Sequence, residues 1–176
     1  MEADGLVRCA WAGAHPLLRA YHDHEYGLRP TTDAGLLELL SLELFQAGLS
    51  WLTILKKRDA FRLAFDGFDP ATVAAYGEGD RARLLADSGI VRNRLKVDAT
   101  IHNAGVVRAL ARQHGSFAAW LGAQGELSRD EWVKRFKRTF RFTGGEITGE
   151  FLMSAGYLPI RHDPACFKTR PAKAAR

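Results

Sequence analysis

The sequence predicts an all-α domain of about eight to ten short helices, and three observations carry that prediction. Apolar residues recur at helical spacing along most of the chain. Capping residues and glycines stand at the ends of those runs. No segment combines sustained alternation of apolar and polar residues with hairpin turns, and no internal repeat is present.

The elements follow in order. Pro16 suits the first turn of a helix, with Leu17, Ala20 and Tyr21 at helical spacing behind it. Asp33 reads as the cap of a helix with Leu36, Leu37, Leu40 and Leu44 on one face, closing at Gly48. Ser50 caps a helix through Phe65, Asp69-Pro70 opens a short one, and another runs from Asp80 to Asp87 and ends at Gly89. The longest helix is expected from about Arg92 to Gln113. Its apolar face is Val97, Ile101, Ala104, Val107 and Leu110, with Lys96 and Arg108 on wetter sides. Ser116 caps a short helix carrying Phe117, Trp120 and Leu121. Ser128 with Glu131, and Thr143 with Glu146, have capping-box spacing ahead of the last two helices. Trp132, Phe136 and Phe140 recur at helical spacing around the basic run Lys134 to Arg141, and read as core behind a charged wet face.

With 176 residues the chain fits one domain, assigned to 1–167. No apolar run approaches the roughly 20 residues that span a bilayer. Met1 to Val7 carries acids and lacks a signal peptide's apolar stretch, so the expected location is the cytoplasm, without a membrane partner. The formal charge is +5, but Lys168, Arg170, Lys173 and Arg176 follow the last acid, Asp163, and leave the body near +1. Residues 168–176 are therefore read as a basic disordered tail. Such a tail either adds weak, salt-sensitive attraction to phosphates or is simply solvated.

Three constellations can carry chemistry. Cys9 with His22, and His162 with Cys166, could form a closed Cys2His2 zinc set that staples the first residues to the last. The alternatives are two unrelated buried cysteines, or His24 in place of His22. Glu43 lies among apolar residues of a helix, where a carboxyl needs a partner. It reads either as a structural hydrogen-bond acceptor or as a recognition carboxylate at the floor of a pocket walled by Tyr21 and Trp51. Such a pocket suits a flat ring that is cationic or bears amino groups. Finally, one helix ends at Gly89, an apolar turn follows, and Arg92, Arg94 and Lys96 stand at the start of the next. A helix–hairpin–helix of this kind can offer backbone N–H groups and a helix N-terminus to phosphate, although any αα-hairpin can carry a glycine turn and solvated arginines. A zinc deaminase is excluded, because its Pro-Cys-x-x-Cys segment is missing.

Taken together and in this order, these pieces resemble the 3-methyladenine DNA glycosylase I family of the helix–hairpin–helix DNA glycosylase superfamily. The likeness runs from about residue 8 to residue 167. It rests on Arg8-Cys9-Ala10-Trp11, Tyr21-His22-Asp23-His24-Glu25-Tyr26-Gly27, Glu43, Gln46-Ala47-Gly48-Leu49-Ser50-Trp51, Gly89-Ile90-Val91-Arg92-Asn93-Arg94 with Lys96, and the closing His162 and Cys166. The resemblance implies hydrolysis of the N-glycosidic bond of alkylated purines flipped from double-stranded DNA, leaving an abasic site, by a monomeric base-excision repair enzyme associated with the nucleoid. It implies a structural Zn2+ on Cys9, His22, His162 and Cys166. Glu43 becomes the catalytic and recognition carboxylate, with Tyr21, Trp51, Trp11 and Tyr26 around the base. Gly89, Ile90, Arg92, Arg94 and Lys96 become the DNA-backbone contacts. A non-catalytic damaged-DNA-binding module on the same scaffold is the alternative.

The chain departs from the family pattern at several places. Tyr26 stands where a tryptophan is common, and Gly144-Gly145-Glu146 replaces Gly-Pro-Thr. Leu152-Met153 replaces Met-Gln, and Ile160-Arg161 replaces Asn-Asp. These changes mark a divergent branch with an altered last helix. Glu146 and Glu150 on that helix would repel phosphate unless they point inward or pair with Arg141 or Arg161.

Overall fold

The computed structural model describes residues 5–169. Among them are ten α-helices, two 3₁₀ turns and no strand. The helices are α1 (Ala10–Gly13), α2 (Pro16–His24), α3 (Asp33–Gln46), α4 (Trp51–Ala64), α5 (Pro70–Ala74), α6 (Glu78–Ala86), α7 (Arg94–His114), α8 (Phe117–Gly122), α9 (Arg129–Thr139) and α10 (Gly145–Ser154). No helix is long and apolar enough to cross a membrane.

The architecture is organised around α3. Every residue from Leu36 to Phe45 is buried, including Glu38, Ser41 and Glu43. A helix that is apolar all round belongs at the centre of a core, and α4, α7, α8 and α10 pack around this one. The single apolar face read from the sequence understates that burial. A second apolar focus joins α8, α9 and α10, where Phe117, Phe136, Phe140 and Phe151 meet ring against ring. Trp132, Phe136 and Phe140 are core, as their spacing predicts.

Several helix ends differ from the sequence reading. Thr32, rather than Asp33, caps α3 by accepting the Gly35 N–H at 3.0 Å. The Asp33 carboxylate instead accepts the Phe117 N–H at 2.8 Å, tying the start of α3 to that of α8. The Ser128–Glu131 capping box is present on α9, but Thr143 and Glu146 form none. Thr143 donates to the Phe140 carbonyl and Glu146 reaches out to Arg129 at 3.3 Å. The long helix starts at Arg94, capped by Asn93, which leaves Arg92 in the preceding turn. Of the proposed tail, Lys168 and Thr169 belong to a 3₁₀ turn, Phe167–Thr169, and the rest lies outside the described residues.

Lys96 is the main correction. Expected on a wet face and in contact with DNA, it is only 5 % exposed. Its Nζ donates to the carbonyls of Phe45 at 2.9 Å and Ala47 at 2.6 Å, the orphan acceptors at the end of α3. Burial holds its ammonium below the ordinary lysine value. This group is spent inside the protein and leaves the set of candidate phosphate contacts. Lys96→Met is therefore expected to lower stability by about 1–3 kcal/mol, because the buried Phe45 carbonyl and the half-buried contact to Ala47 lose a charged donor. Denaturant unfolding measures that loss; a stable variant with weakened DNA affinity would instead restore Lys96 to the surface.

Candidate active site

The loop between α3 and α4 builds the first wall of the site. Lys96 holds the last carbonyls of α3, and Gly48 turns the chain back at φ 84°, a backbone region that suits glycine. Ser50 then caps α4 by accepting the Thr53 N–H at 3.1 Å. Trp51, the first residue of α4, is delivered over the buried end of α3.

Trp11 from α1, Tyr21 from α2, Tyr26 and Trp51 line one cavity of about 350 Å³ together with Glu43. Leu18, Gln46, Leu52, Glu150 and Ser154 complete it. The rings are set at angles to one another. Tyr21 and Trp51 meet edge-on at 5.1 Å between centroids, as do Trp11 and Tyr26 at 5.4 Å. The hydroxyl of Tyr21 and the indole N–H of Trp51 are buried without a hydrogen-bond partner among the described residues. Burial, reinforced by Glu43, holds the Tyr21 phenol well above its ordinary value. Buried polar atoms normally have partners, so these mark a surface made for something polar to complete.

Glu43 sits at the inner end of this slot, 5 % exposed. Its Oε1 accepts one hydrogen bond, from Ser154 Oγ at 3.2 Å, and no cation pairs with it among the described residues. Burial first, and the nearby Glu150 second, push its carboxyl up to about 8. Glu38, on the same helix and almost as buried, shows what a structural glutamate looks like here: Arg58 reaches it at 2.6 Å and Arg62 at 2.9 Å. Glu43 thus holds a single structural hydrogen bond where Glu38 holds two arginines.

Behind the aromatic wall, Cys9, His22, His162 and Cys166 converge, with one ligand atom from each lying within 4.8 Å of all the others. Cys9 Sγ is 3.3 Å from His162 Nδ1, and Cys166 Sγ is 3.4 Å from His22 Nε2. Ligand bonds of ordinary length in a tetrahedron separate S and N by about 3.5 Å, so the four residues fit one metal ion. Around them, His22 Nδ1 donates to Asp23 Oδ1 at 2.8 Å, and Asp23 receives Arg8 at 2.8–3.1 Å. That chain fixes which ring nitrogen of His22 faces the cluster. The Asp163 N–H donates to Cys9 Sγ at 3.3 Å. His24 is exposed and stands outside the cluster.

The hairpin residues scatter more widely. Gly89 packs so close to Ala60 of α4 that a Cβ would meet it at 3.0 Å, and its N–H is already accepted by Asp87 at 2.7 Å. The Ile90 side chain is core. Arg92 is exposed, and the largely exposed Arg94 pairs with Glu78 at 3.3 Å. Lys57 of α4 donates to the Ser88 and Gly89 carbonyls of this turn at 3.1 and 3.0 Å. Asp98 pairs with Arg81 at 2.8 Å, away from the slot.

The family described as methyladenine glycosylase matches residues 11–139 of this sequence. The chain belongs to the methyladenine glycosylase family. Escherichia coli (strain K12) DNA-3-methyladenine glycosylase 1 is 35% identical over 170 residues, covering 86% of this chain and 91% of that protein. A crystal structure of 3-methyladenine DNA glycosylase I superposes with a TM-score of 0.83 at 37% identity, covering 92% of this chain and 98% of the other. The Staphylococcus aureus enzyme, solved for the structural basis of 3-methyladenine recognition, gives 0.82 at 30% identity over 94% and 98% of the two chains. As a methyladenine glycosylase, the protein is a base-excision hydrolase of N-glycosidic bonds.

Sequence reasoning missed Ser154 as the partner of Glu43, and it left Glu150 open between a DNA-facing charge, an inward-pointing acid and a partner of Arg141 or Arg161. Their four-residue spacing on a helix was the available signal, since such residues share a face.

Two outcomes follow for this methyladenine glycosylase. A carboxyl whose folded-state value is raised from 4.5 to about 8 leaves stability intact below pH 4.5 and costs progressively more as pH rises to 8. Glu43→Gln should therefore melt with the wild type near pH 4 and above it near pH 8, by about 5 °C or more in calorimetry. Cys166→Ser should lower both bound metal, read by elemental analysis, and the melting temperature, by roughly 5–10 °C. Unchanged metal content would remove Cys166 from the ligand set.

Proposed function

We propose that the slot receives an N-alkylated purine of the 3-methyladenine class, flipped from double-stranded DNA, and that the protein hydrolyses its N-glycosidic bond to leave an abasic site. The observation that carries this reading is Glu43: a buried acid with no counter-charge, at the end of an aromatic slot. A purine alkylated at N3 in DNA is a cation, and it supplies the charge that the empty slot lacks. Entry of that charge favours the ionised form of Glu43, so a group that is largely protonated at neutral pH becomes a carboxylate as the base docks. Tyr21, Trp51, Trp11 and Tyr26 are the ring contacts in this reading, and Glu43 is the catalytic residue.

The chemistry needs little else. A base already positive leaves as a neutral molecule without a general acid, so extrusion, stacking and desolvation of the base supply much of the rate, while one water adds to the sugar C1′ and gives up a proton. Arg92, Arg94 and the α6–α7 turn near Gly89 and Ile90 are the proposed grip on the phosphate backbone. The cluster of Cys9, His22, His162 and Cys166 suits Zn2+, which would act as a structural cross-link. The protein is read as a monomer, working in the cytoplasm on nucleoid DNA.

Incubation with methylated duplex DNA, followed by chromatography of released bases, tests the proposal. Release of 3-methyladenine is expected, and binding without release would reduce the protein to a damaged-DNA-binding module. Glu43→Gln should lower the excision rate by roughly 100-fold, the scale of a lost transition-state charge contact, with non-specific DNA affinity almost unchanged.

A further inference from the structure

Glu150 belongs to neither the aromatic walls nor the Glu43–Ser154 contact, yet it lines the same cavity. It stands one turn before Ser154 on α10, and residues four apart share a helix face. Ser154 Oγ touches Glu43 Oε1, so α10 presents that face to the buried end of the slot. Two carboxyl groups thus open on one cavity from neighbouring helices, and no basic side chain lines it. The charged groups nearby stand outside. Glu146 lies one turn earlier on α10; Arg129 of α9 crosses Gly149 and pairs with Glu146; Arg161 shares an outer groove with Glu150. On the slot side Glu150 faces Glu43 of α3 and the phenol of Tyr26. Burial, with Glu146 adding and Arg129 opposing, holds Glu150 above the ordinary carboxylate range.

We propose that Glu150 is a second recognition carboxylate, which makes the slot favour a positively charged base over a neutral base of the same shape. The proposal rests on the reading of the slot as a base site. A neutral base leaves two acids sharing a desolvated space, and at least one of them keeps its proton. A cationic base gives both a counter-charge, so the gain from each acid is made only with the cation.

Binding of two free bases, followed by intrinsic tryptophan fluorescence, tests this. One is 3,9-dimethyladeninium, a fixed cation; the other is its neutral 3-deaza isostere. The wild type should prefer the cation. Glu150→Gln, which keeps the shape and removes the charge, should cut that preference by about tenfold, chiefly through weaker cation binding. The pH at which cation affinity rises should also move downward in the variant, because Glu43 no longer ionises beside a second acid. An unchanged preference, or equal loss for both bases, would overturn the role of Glu150 while leaving base release by the wild type intact. A wild type that binds neither base overturns the slot reading and this proposal together.

Discussion

A carboxyl group without a counter-charge, held at the centre of the fold, is the constraint around which the rest is arranged. Glu43 lies on the helix with the most complete burial, so its ionisation is costly in the empty protein. The surrounding core must be large enough to absorb that cost. The leucines of α3 and the rings of Phe45, Phe61 and Phe65 provide it. On the same helix Glu38 is neutralised by Arg58 and Arg62. A neutralised acid and an acid without a counter-charge are therefore separated by five residues on one helix.

The slot and the Cys/His cluster are mechanically one unit. Tyr21 and His22 are consecutive on α2, one turned to the slot and the other to the cluster. Trp11 stands edge-on to His22 at 5.3 Å, and Tyr26 edge-on to His162 at 5.9 Å. The segments before α2 and after α10 are further tied by Phe167 N–H donating to the Val7 carbonyl and Ala10 N–H to Asp163. A metal ion held there would fix three of the four aromatic walls, which a short helix such as α1 could not orient alone.

Positive charge is distributed by the same economy. Lys96, expected from the sequence to contact DNA, and Lys57 are engaged with carbonyls at the end of α3 and in the α6–α7 turn. What remains on the hairpin surface is Arg92 and the loosely paired Arg94. A surface pair of that kind is worth little, so an approaching phosphate can displace Glu78 at small cost.

The sequence by itself determined the helices, since Ser50, Ser116 and Ser128 act through hydrogen bonds within a few residues of their own positions and Pro16 acts through its fixed φ. It also determined the residue types of the slot and cluster, because aromatic, acidic, thiol and imidazole groups carry their chemistry wherever they sit. Only the tertiary structure decided how Asp33, Lys96, Glu146 and Glu150 are used. The partners of Asp33 and Lys96 lie 84 and 51 residues away. Glu146 finds Arg129 on another helix, and Glu150 meets Glu43 only where α10 crosses α3. Local periodicity says which face a side chain occupies; whether that face meets water, a carbonyl or a second acid is fixed by which helix packs against it.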